Sequence, residues 1–335
     1  MNFPSATRTF LRVFTAGAAL ATLLAAPATT AFAADAAWPE RPVRMIIPYA
    51  AGGVSDVIGR AISEKLGERL KATFVVENKG GAGGTIGMAD MAKAKPDGYT
   101  LAFSAISPLS LSPIFNPVQY DPQKDVLPVA RAMVSPVVLL GTRAFKGSSM
   151  EDLMKAAKAE PGSLRWSTSG SGSLGHLMME QVQKLGGVQL THIPYKGSGQ
   201  QMNDALGAQF EVASMNVSPS VIAHIREGAL RPLAIAAPSR VAFLPDVPTF
   251  SELGYGKASM MSVFGFFAPA GLPQGILQRL NTEINAVVNS PEIQKLMSES
   301  SNIAAPGTPE EFAKQIADEL QANHALVESA GLKKQ

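Results

Sequence analysis

The stretch Met45–Arg60, MIIPYAAGGVSDVIGR, constrains what this chain can fold into more than any other. A short apolar run stops at Pro48, and the small residues Ala50-Ala51-Gly52-Gly53 follow. Ser55 and Asp56 then open a periodic segment with Ile58, Ala61, Ile62 and Leu66 on one side. The order is strand, tight loop, helix. A loop almost without side chains, feeding a helix start, turns backbone N–H groups toward whatever lies above it. Such groups bind anions without a cationic side chain. A plain strand-to-helix turn is the alternative reading, because glycine is the default residue of tight turns.

The same alternation recurs along the chain. Strands are expected at Val43–Ile47, Thr73–Glu77 and Tyr99–Ser104, with helices over Val54–Leu70 and Thr85–Lys93. Five prolines make residues 106–128 irregular. The apolar run Val129–Thr142, carrying Pro136, reads as a strand passing between domains. A second set follows, with strands at Leu164–Ser167, Gln189–Ile193, Phe210–Met215 and Leu230–Ala236. Its helices are Met150–Ala159, Ser173–Leu185, Gln200–Leu206 and Pro219–Glu227, the first with Ser148/Ser149 and Asp152 in a capping arrangement. Met261–Pro269 reads as the return crossing, and the tail is helical over Pro273–Asn289, Pro291–Ser298 and Pro309–Ser329. Two α/β sets joined by two crossings imply two lobes hinged around a cleft.

The first residues read as an export leader. Arg8 and Arg12 precede the apolar run Val13–Ala26, and Ala31-Phe32-Ala33 supplies a small-x-small cleavage pattern. The run is too short for a membrane anchor, and no later segment is long and apolar enough to span a bilayer. The chain has no cysteine, which excludes disulfides and thiolate metal sites. Of 29 basic and 27 acidic residues, loss of Arg8 and Arg12 with the leader leaves 27 of each sign. A neutral mature chain argues against a nucleic-acid partner, which needs a basic face.

Three further loops resemble the first. Asn78–Gly84 holds four glycines in five positions, an entropic cost that makes sense where something approaches closely. It fails the dinucleotide fingerprint, since Ile86 stands at the third glycine. Ser167–Ser173 offers hydroxyls at a helix start, with His176 one turn in. A serine hydrolase using Ser173 and His176 is disfavoured, because both share one helix and the nucleophile-elbow glycine is missing. His192, inside an apolar strand, reads as a core histidine. Pro194–Gly199 contributes Tyr195, Lys196 and another helix start, or else a simple turn. No His/carboxylate cluster suggests a metal, and no cofactor is expected.

Together these segments resemble the tripartite tricarboxylate transporter receptor family, the Bug solute-binding proteins. The matching motifs are Trp38-Pro39-Glu40-Arg41-Pro42, Pro48-Tyr49-Ala50-Ala51-Gly52-Gly53 with Asp56 and Arg60, and Glu77-Asn78 leading into Gly81–Gly84. Pro96–Leu101, Tyr120-Asp121-Pro122, Ser169–Ser173 with His176, His192–Gly197, Leu244–Thr249 and Ala268–Gly271 continue the match. The resemblance implies an α/β type II periplasmic binding protein: two lobes with a mixed sheet each, joined by two crossover strands, ligand cleft between. Residues 1–33 would be the signal peptide, 36–138 with 263–335 lobe 1, and 139–262 lobe 2.

It further implies a binding role, not an enzyme: a small organic carboxylate is captured for the membrane permease subunits of a tripartite tricarboxylate-type transporter. The alternative is a receptor that presents the same ligand to a membrane sensor kinase. Expected ligand-binding residues on the first lobe are Tyr49, Ala51, Gly52, Gly53, Ser55 and Asp56, with Ala82, Gly83, Gly84 and Ser104. Those on the second are Thr168, Ser169, Gly172, Ser173, His176, Tyr195 and Asn216. The chain departs from the family pattern at Gly207–Glu211, at Ser214-Met215-Asn216 and at Phe264. The resemblance sets these near the ligand's distal end.

Overall fold

The computed structural model describes residues 38–331, and the expected signal peptide lies outside them. The first half runs β1 (Val43–Ile47), α1 (Val54–Leu70), β2 (Phe74–Asn78), α2 (Thr85–Ala92) and β3 (Thr100–Ala105). Two single-turn helices follow, α3 (Ser107–Ser110) and α4 (Ser112–Phe115), and then β4 (Val126–Ser135). The second half comprises β5 (Val137–Gly141), α5 (Met150–Ala159), β6 (Arg165–Thr168), α6 (Leu174–Gly186), β7 (Thr191–Pro194), α7 (Ser198–Leu206), β8 (Val212–Asn216), α8 (Pro219–Arg226) and β9 (Arg231–Ala236). The chain returns through β10 (Ser262–Pro269) and ends with α9 (Gln274–Val288), α10 (Pro291–Ser298), β11 (Ile303–Ala304) and α11 (Pro309–Ala330).

The strands form two mixed sheets, ordered β11-β4-β10-β3-β1-β2 and β7-β6-β8-β5-β9. In the first, β1 lies parallel to β2 and β3, while β10 runs antiparallel to β3 and β4. In the second, β6 lies parallel to β7 and β8, and β5 runs antiparallel to β8 and β9. Each sheet thus repeats one plan.

The run expected as one strand over 129–142 is two, in different sheets. Pro136 is the break: lacking an N–H it cannot donate to a ladder, so one strand ends and the next begins around it. Its carbonyl still accepts from Val217 N–H at 3.1 Å. The irregular region also holds more order than expected. Pro108 and Pro113 sit in the first turns of α3 and α4, where a missing N–H costs nothing. The 149–152 capping box closes as the sequence suggests. The short strand β11 went unread, since two residues carry no periodicity.

Side chains alternate across each sheet, as a strand's period of two requires. From β1, Met45 and Ile47 enter a core with α1 and α9, while Ile46 faces Met88, Phe267 and Phe312 on the other side. From β5, Leu139 packs with Trp166 and Met178, and Leu140 with Phe210 and Met215. Both faces of both sheets are therefore covered. Leu139 is fully buried at the middle of the second sheet. Leu139→Ala is expected to lower the unfolding free energy by about 2–5 kcal/mol in a urea titration.

Candidate functional site

Between the two sheets lies a pocket with about 500 Å³ of empty space. The first half contributes Tyr49, Val54, Ser55, Ala105 and Ser107. The second contributes Val137, Ser169, Ser173, Ser198, Ser214 and Asn216, and Ser262 and Phe264 come from the return strand. Among the described residues, seven serines and no charged side chain line the pocket.

The polarity of the walls comes from helix starts. Val54 and Ser55 open α1, Leu174 and Gly175 open α6 behind its cap Ser173, and Ser198 opens α7. The N-cap positions of α1 and α7 are Gly53 and Gly197, neither with a capping side chain. The first turn of a helix carries unpaired N–H groups and partial positive charge. Three such ends meet one cavity. Tyr49 adds a neutral phenol, because burial holds its pKa above the ordinary value. Its oxygen lies 3.4 Å from Ser104 Oγ, which donates to Ala105 O (2.8 Å) and stands behind the wall.

Of the residues expected to bind ligand, Tyr49, Ser55, Ser169, Ser173 and Asn216 line the pocket. Asn216 also ties the two crossings together: its Oδ1 accepts from Ser262 Oγ (3.3 Å), and its amide reaches the carbonyls of Ser135 and Pro136 (3.5 Å each). The other expected residues do different work. The Asp56 carboxylate turns into its own lobe, where Oδ2 accepts from Gly52 N–H (3.0 Å). Its Oδ1 accepts from Arg60 Nε (2.8 Å) and Asn78 Nδ2 (2.9 Å). Asp56 thus fixes the first loop and spends its charge on Arg60.

The glycine loops are where the halves touch. Ala50 N–H donates to Lys196 O at 3.1 Å. A Cβ on Gly199 would strike the Ala51 carbonyl, a Cβ on Gly52 would lie 3.9 Å from Gly199 Cα, and a Cβ on Gly53 would press on Ser198. A Cβ on Gly170 would lie 2.5 Å from Gly83 N, and Gly83 in turn packs on the Ser171 carbonyl. Ala82 and Gly84 belong to the same short turn, Gly84 against Tyr49 and Pro108. Gly172 sits on Ser112, whose hydroxyl donates to Gly172 O (2.9 Å). What approaches Gly83, Gly170 and Gly199 most closely is the backbone of the opposite half.

His176 is buried beneath the third loop, outside the pocket lining. Its Nδ1 accepts from Gly172 N–H (3.2 Å), and its ring stacks on His192 with centroids 4.1 Å apart. Burial, with His176 beside it, lowers His192 to about 3, so that ring stays neutral. Contrary to the sequence expectation, His192 lies on the edge strand β7 and is only half-buried; its Nε2 is 2.8 Å from Thr168 Oγ1. Thr168 is itself buried and also accepts from Gly170 N–H (3.2 Å). Ser173 Oγ accepts from His176 N–H as a helix cap, so no nucleophile–base contact exists there. Tyr195 donates to Asp204 (2.6 Å) and does not line the pocket. Glu211, in the run expected at the ligand's distal end, instead clamps Arg165 through both carboxylate oxygens.

Ser214 and Phe264, set near the ligand's distal end by the resemblance, line the pocket, and the wall residues that sequence reading missed are chiefly Ser107, Val137, Leu174, Ser198 and Ser262. One signal was available: Ser107-Pro108 and Ser112-Pro113 are helix-start pairs, and they mark α3 and α4.

The sequence profile of the tripartite tricarboxylate transporter family receptor matches residues 58–332. Protein BugT of Bordetella pertussis (strain Tohama I) is 36% identical over 298 residues, 88% of this chain and 91% of that one. The structure of Rpa4515 from R. palustris with adipate superposes with a TM-score of 0.83 at 29% identity, covering 88% of this chain and 98% of that one. MatC (Rpa3494) from Rhodopseudomonas palustris, with bound malate, gives 0.80 at 26% identity, covering 87% and 100%. The chain belongs to the tripartite tricarboxylate transporter receptor family, the Bug group of periplasmic binding proteins.

Proposed function

We propose that this protein is a periplasmic receptor that closes on a small organic carboxylate and delivers it to the permease subunits of a tripartite tricarboxylate-type transporter. One observation carries the reading: three helix starts, drawn from both halves, line a pocket that has hydroxyls and no charged side chain. Each such end favours a negative guest by roughly 0.3–1 kcal/mol, and by up to about 2 kcal/mol when partly buried. The adipate and malate complexes of similar proteins point to the same chemistry. In this reading residues 1–33 direct export and are removed. Residues 36–138 with 263–335 form one lobe, and 139–262 the other. They swing about Pro136 and the chain leading into Ser262.

Closure is testable through Gly199. Any side chain there meets the Ala51 carbonyl only when the lobes are shut. Gly199→Val is therefore expected to weaken binding of adipate or malate about 5- to 150-fold by calorimetry, the effect of roughly 1–3 kcal/mol of overpacking. The ligand-free unfolding midpoint should stay unchanged, because the open form has no clash. Unaltered affinity would refute the closed geometry.

The sign of the ligand's charge is tested at Ser198. An added carboxylate about 5 Å from an anion costs roughly 3 kcal/mol at an effective dielectric constant near 20. Ser198→Asp should thus reduce affinity for these acids about 100-fold. Equal loss for an uncharged analogue of the same shape would count against an anionic guest.

Delivery has its own measurement. Deleting the gene is expected to abolish uptake of the bound acid; intact uptake with altered gene expression would favour presentation to a sensor kinase.

A further inference from the structure

A neighbouring space adjoins the pocket at Ser262. This second space, with about 260 Å³ empty, shares Ala105, Ser107, Leu174 and Ser262 with it as common walls. This annex is bounded by α11, where Glu319 and Asn323 face it. Among the described residues, Glu319 is the one carboxylate that lines either space. Asn323 is committed elsewhere, donating to Ser110 O at 3.0 Å.

The neighbours of Glu319 offer no positive charge directly. Its Oε1 accepts from the amide of Gln315 (3.2 Å), and Gln315 Oε1 in turn accepts from Arg131 Nη1 (2.9 Å). Arg131, the single ionisable group of β4, therefore reaches Glu319 only through an amide. On α11 the nearby pair Lys314–Asp318 is exposed and closed on itself at 2.6 Å, and His324 is exposed. The residues of α3 and α4 and the segment Met261–Val263 carry no ionisable group. From α6 only Leu174 reaches the annex, and its first ionisable groups, His176 and Glu180, lie 3.6 Å from each other.

An ionised Glu319 would share these walls with a bound anion, and no cationic side chain lines either space to offset the repulsion. We infer that Glu319 is a determinant of ligand affinity that enters the closed cleft as a neutral acid, so that capture of a carboxylate takes up one proton. The inference rests on the carboxylate-receptor reading above and deepens it.

Burial in the closed form raises Glu319 to about 7. Leu174 belongs to the other half, so opening uncovers the annex, water returns, and the group falls back toward the ordinary glutamate value of about 4.3. Between those values the closed form holds the proton and the open form does not. Closure is therefore favoured at low pH and weakens as pH rises, levelling off above about 8.

The test is calorimetric titration of adipate and malate at pH 6 and pH 8, in two buffers of different ionisation enthalpy. The wild type should bind about tenfold more weakly at pH 8 and take up close to one proton per ligand at pH 6. Glu319→Gln, which keeps the shape of the neutral acid, should lose both the proton uptake and the pH dependence. Any protonation of the ligands themselves is common to both proteins and drops out of the comparison. Binding with no more proton uptake in the wild type than in the variant overturns this inference and leaves the receptor reading standing. Binding of no acid under any condition overturns both.

Discussion

The contact on which this architecture turns is backbone against backbone across the cleft. Ala50 N–H meets Lys196 O, and Gly199 lies where any Cβ would enter the Ala51 carbonyl. Peptide groups can come this close only when side chains are absent from both surfaces. The helix starts that follow these loops are carried inward by the same approach. The pocket is thus polar because the helices end there, and shut because glycines let them converge.

Much of the fold was legible because hydrophobic periodicity is a local signal. β1 and α1 run over the residues expected, and most other boundaries differ by a residue or two. The duplicated α/β plan and its two crossings followed from that alternation alone. Pairing order did not, since β10 inserting between β3 and β4 depends on contacts far apart in sequence. The site was legible only in part. Glycine loops announced a close approach, but their composition could not reveal whether a ligand or the opposite lobe was approaching. Ser107 sits in a segment without glycine and Ser262 at the start of a core strand, so only the tertiary arrangement makes them wall residues.

Several motif residues brace the loops from behind. Asp56, Arg60 and Asn78 form one network that sets the first loop, with Arg60 Nη2 also donating to Asn78 Oδ1 at 2.6 Å. Asn78 adds a bond to Tyr49 O (3.1 Å), which joins β2 to the loop after β1. At the far end of the sheet, Arg41 pairs with Asp97 and lies over the Tyr99 ring, 3.7 Å from its centroid. That contact docks the Trp38–Pro42 segment onto Pro96–Tyr99. His176 does for the third loop what Asp56 does for the first. Each loop owes its shape to a buried polar partner behind it, which leaves its front face free of charge.

That division keeps the Asp56 carboxylate out of the pocket. An acid aimed into the pocket would repel a negative guest; Asp56 aims away, held by a guanidinium and two N–H donors. Helix ends and hydroxyls are left to line the pocket. Unlike a lysine or arginine, such donors are fixed by the backbone and need no counter-charge while the cleft stands open, so emptying it strands no buried cation. A receptor must release its ligand as well as hold it. In the proposed receptor, dipoles assembled by closure would meet both demands, because opening would carry α1 away with one lobe and α6 and α7 with the other.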